Sequence, residues 1–84
     1  MVNHKKLSYA EIVGIHLKRR RQEFGMTQAE FAETIGLSEK GYAKIERGKN
    51  APTCRTLSKI LIKAKISIDR LLQDVEEDKH LLED

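Results

Sequence analysis

Residues 27–48 read TQAEFAETIGLSEKGYAKIERG, and this stretch decides the fold. Thr27-Gln28-Ala29-Glu30 has the form of a capping box: the threonine hydroxyl accepts from the backbone three residues on, and the glutamate reaches back to the cap. A short helix is expected over residues 27–35, with Phe31 and Ile35 one turn apart on its inner face. Gly36 ends it, because the tight turn that follows needs a residue at ease with positive φ. Ser38 can cap a second helix that runs through Arg47, and Gly48 stops that one. Ala32 is small where the two helices must pass closely, and Tyr42 and Ile45 face inward as anchors. Glu39, Lys40 and Lys44, on the outer face of the second helix, are polar and long. The stretch therefore predicts two helices crossing steeply over a very short turn.

Helical spacing continues on both sides. Residues 8–24 predict a first helix with Ile12, Val13, Leu17 and Phe24 on one face, Lys18, Arg19 and Glu23 outward, and Gly25 as its stop. Residues 49–52 form a loop. Thr53 caps a fourth helix with an apolar stripe of Leu57, Ile60, Leu61 and Ala64. Ser67 caps a fifth, with Ile68, Leu71, Leu72 and Val75 on one side, and residues 76–84 either extend it or fray. No segment alternates apolar and polar residues as a half-buried strand would. The expected class is all-α: a compact five-helix domain over residues 9–75, with a disordered N-terminal arm over 1–8 and an acidic C-terminal extension, helical or frayed, over 76–84.

With 84 residues the chain holds one domain with a modest core, and 39% hydrophobic against 35% charged residues fits a folded, highly charged one. No run approaches the ~18 apolar residues of a membrane span, and the first residues lack the apolar core of a secretory signal, so a cytoplasmic setting and no membrane partner are expected. Cys54 stands alone, which rules out an internal disulfide and a cysteine-based zinc cluster; it reads as an ordinary small residue at a helix start. His4, His16 and His80 are too scattered to suggest a metal site. Nothing suggests an enzyme or a cofactor: no glycine-rich phosphate loop, nucleophile–base pair or paired carboxylates appear. The net charge of +3 hides an asymmetry. Residues 1–66 carry +8 and residues 67–84 carry −5. A basic body suits a polyanion, and the acidic end should point away from it. Within the run Lys18-Arg19-Arg20-Arg21, Lys18 and Arg19 read as solvated surface, and Lys5 and Lys6 as part of the disordered arm.

At this point the chain resembles the phage repressor/Cro family of bacterial helix-turn-helix regulators, the XRE type. The resemblance rests on Leu17 and Arg21 ahead of Gly25-Met26-Thr27-Gln28, on Ala32, Gly36-Leu37-Ser38, Ile45-Glu46-Arg47-Gly48-Lys49 and Pro52, and on Ile66-Ser67-Ile68-Asp69-Arg70-Leu71-Leu72. It implies a lambda-repressor-like domain of five helices whose helices 2 and 3 form the helix-turn-helix. The third would lie in the major groove of a palindromic operator. The implied function is sequence-specific binding of double-stranded DNA by a transcriptional regulator, a repressor or autoregulator, bacterial or phage-encoded and acting at the nucleoid. Restriction–modification controllers and antitoxins share the fold, and from another class a protein-interaction module without specific DNA binding is the alternative.

Residue roles follow from the resemblance. Gln28 would contact a phosphate and buttress the recognition helix. Glu39, Lys40, Ala43 and Lys44 fall at base-facing positions, Arg47, Lys49 and Asn50 lie where the family tracks the DNA backbone, and Ser38 belongs to the same DNA-binding set. Arg21 and Glu46 would form a scaffold pair. Gly41 and Tyr42 depart from the family pattern, which has Ser or Thr and a branched aliphatic residue there, and the Tyr42 hydroxyl must find water or a partner at the edge of the core. Ile68, Leu71, Leu72 and Val75, together with Leu81 and Leu82, offer more apolar area than a small monomer needs. They are expected to form a homodimer interface with the acidic residues at its rim, and the acidic segment is also a candidate surface for a protein partner.

Overall fold

The computed structural model describes residues 6–78 and residue 80. Among them five α-helices follow one another: α1 (Tyr9–Glu23), α2 (Gln28–Ile35), α3 (Glu39–Glu46), α4 (Cys54–Lys63) and α5 (Ile68–Glu77). Each starts at a hydroxyl. Ser8, Thr27, Ser38, Thr53 and Ser67 stand at the N-caps in extended conformation, and each side chain accepts from the backbone N–H three residues on. Such a cap contributes about 1 kcal/mol, a large share for the four helices of only two or three turns that follow α1. The capping box at Thr27 and Glu30 is complete, and Ser8 and Glu11 form another that the sequence reading does not pick out. Between α2 and α3, Gly36 is left-handed at φ 76° and its N–H returns to the Ala32 carbonyl. Leu37 N–H bonds the same carbonyl at 2.9 Å. Two hydrogen bonds to one residue fix how sharply the chain re-enters as α3.

The core gathers Ile12, Val13 and Leu17 of α1, Phe31, Ala32 and Ile35 of α2, Tyr42 and Ile45 of α3, Ile60, Ile66, and Leu71 and Val75 of α5. Phe31 and Tyr42 pack with ring centroids 5.1 Å apart at a tilted 49°, a favourable aromatic geometry that joins the two crossing helices. α1 lies against both α3 and α5. Its closest approach to α3 is at Gly14, where a side chain would run into the Glu46 and Ile45 carbonyls.

Several expectations change. Phe24 is not on the buried face of α1. It is the C-cap, 48% exposed, because α1 ends before the turn that would bring it inward. Leu61 is 47% exposed, and of the fourth helix's stripe only Ile60 is fully buried. Leu7 and Ser8, placed in the arm by the sequence reading, belong to the folded domain, since Leu7 packs on the core and Ser8 caps α1. The boundary at 75/76 falls inside α5, which continues to Glu77. Leu71 and Val75 do not belong to a dimer surface: both are fully buried within one chain, because so small a core needs the inner half of the α5 stripe. Leu81 and Leu82 lie outside the described residues.

The run of arginines on α1 is also not simply solvated. Arg20 Nη2 donates to Asp74 Oδ2 at 2.8 Å, with Arg19 at 3.6 Å and Arg70 at 4.0 Å from the same carboxylate. One turn back on α1 and one turn on along α5, His16 Nε2 lies 2.7 Å from Asp78 Oδ2. Arg19 Nη2 donates to His16 Nδ1 at 2.9 Å. A guanidinium only donates, so Nδ1 accepts and Nε2–H is the donor to Asp78. Burial opposes charge on Asp74, but the hydrogen bond and the charge of Arg20 outweigh it and hold the carboxyl below its usual range. Two pairs, four residues apart on each helix, thus fasten α5 antiparallel to α1.

Candidate nucleic-acid interface

Successive residues of α3 turn by about 100°. Tyr42, Ile45 and Glu46 fall on the side that faces the core, and all three are buried. Glu39, Lys40, Lys44 and Arg47 fall on the opposite side and are exposed, with Ala43 half-buried among them. Ser38 precedes this face, and Lys49 and Asn50 extend it past the helix end; all three are exposed. Lys40, Lys44, Arg47 and Lys49 set four exposed cations against the single exposed carboxylate of Glu39 in this stretch. The arginines of α1 that face Asp74, by contrast, are matched within the fold. The surface of α3 and the loop after it therefore carries an excess of positive charge that suits a polyanion.

What holds this face is one carboxylate. Arg21 Nε donates to Glu46 Oε2 at 2.6 Å and Nη2 to Oε1 at 3.2 Å, a two-pronged pair between α1 and α3. Arg21 Nη1 donates to the Met26 carbonyl at 2.8 Å, which ties in the turn between α1 and α2. Gln28, the first residue of α2, donates from Nε2 to Glu46 Oε1 at 3.0 Å. The side chains of Arg21 and Glu46 are 11% and 3% exposed, so the pair is largely shielded from water and fixed in orientation. Burial by itself would keep the Glu46 carboxyl neutral. The hydrogen bonds it accepts outweigh burial, that from Arg21 first, and its pKa lies below the ordinary carboxylate value. The same hydrogen bond raises that of Arg21.

Tyr42 stands one turn before Glu46 on α3. Its hydroxyl is fully buried, and among the described residues no group stands in full hydrogen-bond geometry to it. Burial first, and the neighbouring Glu46 carboxylate second, push the phenol well above its ordinary pKa, so it stays protonated.

Residues 17–71 match the family model HTH_3, described as helix-turn-helix, and the chain belongs to this family. It is 42% identical over 55 residues to the cryptic phage CTXphi transcriptional repressor RstR of Vibrio cholerae, covering 66% of this chain and 49% of that one. It is 37% identical over 60 residues to YonR, an uncharacterized SPbeta prophage-derived HTH-type transcriptional regulator of Bacillus subtilis, covering 71% and 56%. It is 33% identical over 81 residues to the ImmF control region 10 kDa protein of Bacillus phage phi105, covering 92% and 83%. The chain thus spans only about half the length of the first two relatives. Among solved structures, the clp gene regulator ClgR from Corynebacterium glutamicum superposes with a TM-score of 0.81 at 22% identity, over 90% of this chain and 81% of that one. A point mutant of the restriction–modification controller protein C.Esp1396I superposes at 0.72 and 24% identity, over 83% and 93%. These two likenesses concern the fold. Among the described residues no helix is long and apolar enough to cross a membrane.

Proposed function

We propose that this chain binds double-stranded DNA sequence-specifically as a transcriptional regulator, a repressor or autoregulator, with α3 in the major groove. The observation that carries the reading is the exposed cationic face of α3, held to α1 and α2 through the single buried carboxylate of Glu46. A face meant to read base edges must be both accessible and fixed, and this one is both. Lys40 and Lys44 reach guanine acceptors, Glu39 accepts from cytosine N4, and Gln28, Ser38, Arg47, Lys49 and Asn50 engage the phosphates. Lys44→Ala is expected to relax preference at one base position by about 1–3 kcal/mol. Lys49→Ala is expected to weaken all sequences alike and reduce the salt slope by about one unit. Both are read by salt-titrated binding to selected and random duplexes. Equal losses on the two duplexes for both variants would overturn the division into readers and positioners.

The regulator works as a homodimer in this reading, because one short helix reads few base pairs and two must sit ~34 Å apart on one face of the duplex. With Leu71 and Val75 inside the core, this reading seats the second copy on the apolar groove of Leu57, Leu61 and Ile68, which continues the exposed side of the α5 stripe. Leu72, one turn on from Ile68 and 36% exposed, and Ile62 at 65% widen it. Such a patch on a monomer marks a contact surface. Sedimentation should give a dimer at tens of micromolar and a monomer for Leu61→Glu. A monomeric parent chain would remove the idea.

A further inference from the structure

We infer that residues 81–84 of one copy of this chain dock in an apolar groove of a second copy, with Leu81 and Leu82 on Phe24, Met26 and Ala64, and Glu83 and Asp84 on Lys63 and Lys65. The groove lies where the turn after α1 meets the end of α4, and Thr34 of α2 also lines it. Phe24 is 48% exposed there, beside half-buried Met26 and Ala64, so apolar area is left that a partner's side chains would take out of water. Lys63 and Lys65 are exposed at its edge, and among the described residues neither is in an ion pair. Lys65 stands at φ 60°, just past the C-cap, the place that Gly25 and Gly48 fill after α1 and α3. Glycine would sit there with less strain, so α4 ends on a lysine side chain at a cost in backbone energy.

An occupant of this groove must bring both apolar side chains and negative charge. In the sequence only residues 81–84, Leu-Leu-Glu-Asp, set two adjacent leucines beside two adjacent carboxylates. The same copy cannot supply them. Asp78 stands against His16, and Phe24 lies eight residues further along α1, about 12 Å along its axis. α5 runs antiparallel and leads the other way: the His80 carbonyl accepts from Lys6 Nζ at 3.3 Å, ahead of the start of α1. From His80 to Leu82 the backbone spans at most about 7 Å, well short of Phe24. The segment therefore comes from a neighbouring copy. This contact is separate from the groove of Leu57, Leu61 and Ile68, because Leu61 and Lys63 are two residues apart and so about 200° apart around α4. It joins one surface to a different one, head to tail, and can link copies beyond a pair.

The test is a charge swap in the full chain, read by sedimentation equilibrium without DNA. It is run on a Leu61→Glu background, which removes the other contact, so that failure of either one is seen apart from the other. That background should still self-associate weakly, on the order of 0.1–1 mM, as suits a contact of two leucines and two ion pairs. One variant carries Lys63→Glu with Lys65→Glu, and the other carries Glu83→Lys with Asp84→Lys. Each alone sets like charges against each other across the contact and should associate about tenfold more weakly or worse. Mixed in equal amounts, the two should associate as strongly as the unswapped background, since each tail now meets a groove of opposite charge. That recovery also shows that both variants fold. A mixture no stronger than its two components overturns the inference, whether the variants misassemble or the segment lies elsewhere. So does association of each swapped variant equal to that of the background, or a background that stays monomeric through this range.

Discussion

Glu46→Ala is expected to lower stability by about 3–5 kcal/mol, because it strands the Arg21 guanidinium in a site from which water is nearly excluded. A domain of this size holds about 5–15 kcal/mol in all, so the variant should be partly unfolded at physiological temperature. Urea and thermal denaturation measure the loss. The cause is the uncompensated charge and not the missing attraction. Replacing both partners with apolar residues, as Arg21→Met with Glu46→Leu, should therefore recover most of the stability. DNA binding should stay weak in that double variant, because nothing then holds α3 to α2 through Gln28. The pH profile gives a second check. The folded Glu46 carboxyl titrates below its ordinary value of 4.5. Its contribution is thus fully present above that value and is lost as pH falls through the folded pKa. Asp74 is shifted in the same direction from 3.8, so the parent chain should lose stability from about pH 5 downward. Glu46→Ala should show a shallower acid slope. A variant as stable as the parent, with an unchanged slope, would show that the pair has no such role.

The parts of this molecule that are local were legible in its sequence. Thr27, Ser38, Thr53 and Ser67 announce helix starts because a cap needs only the next three residues, and Gly36 announces the turn because its φ is a property of one residue. Contacts between distant segments were harder. His16 and Arg20 are four residues apart, as are Asp74 and Asp78, and that matched spacing was there to be read. It means something only once α5 is known to lie antiparallel against α1, and without that the basic run passes for solvated surface. An apolar stripe presents the same difficulty: Ile68, Leu71, Leu72 and Val75 all satisfy helical spacing, yet the core takes Leu71 and Val75 whole and leaves Leu72 outside. Arg21, Glu46 and Gln28 came from the family resemblance, since no spacing rule joins residues on three helices.

Gly14 is the position where the sequence says least and the structure demands most. Gly14→Ala should be strongly destabilising even though alanine is the better helix former by about 1 kcal/mol. The reason lies on the opposite helix. A Cβ at Gly14 would stand 2.6 Å from the Ile45 carbonyl oxygen and closer still to that of Glu46. Both are backbone atoms in the last turn of α3, so no side chain can swing aside. α1 and α3 must move apart instead. That stretches the Arg21–Glu46 pair and disturbs Ile12, Val13 and Leu17 against Tyr42 and Ile45. Overpacking of a rigid contact costs about 1–3 kcal/mol and more where backbone must shift, and the strained ion pair adds to it. A net loss of about 3 kcal/mol is expected in urea denaturation. Binding of DNA should fall further than the unfolded fraction explains, because α3 is displaced in the molecules that remain folded. Ala10→Gly, one turn earlier on α1, supplies the contrast, since it removes a methyl group instead of adding one and should cost only about 1 kcal/mol of helix propensity. Should Gly14→Ala prove as stable as the parent chain, the close crossing of α1 over α3 at this residue would be wrong, and with it the account of how the recognition helix is held.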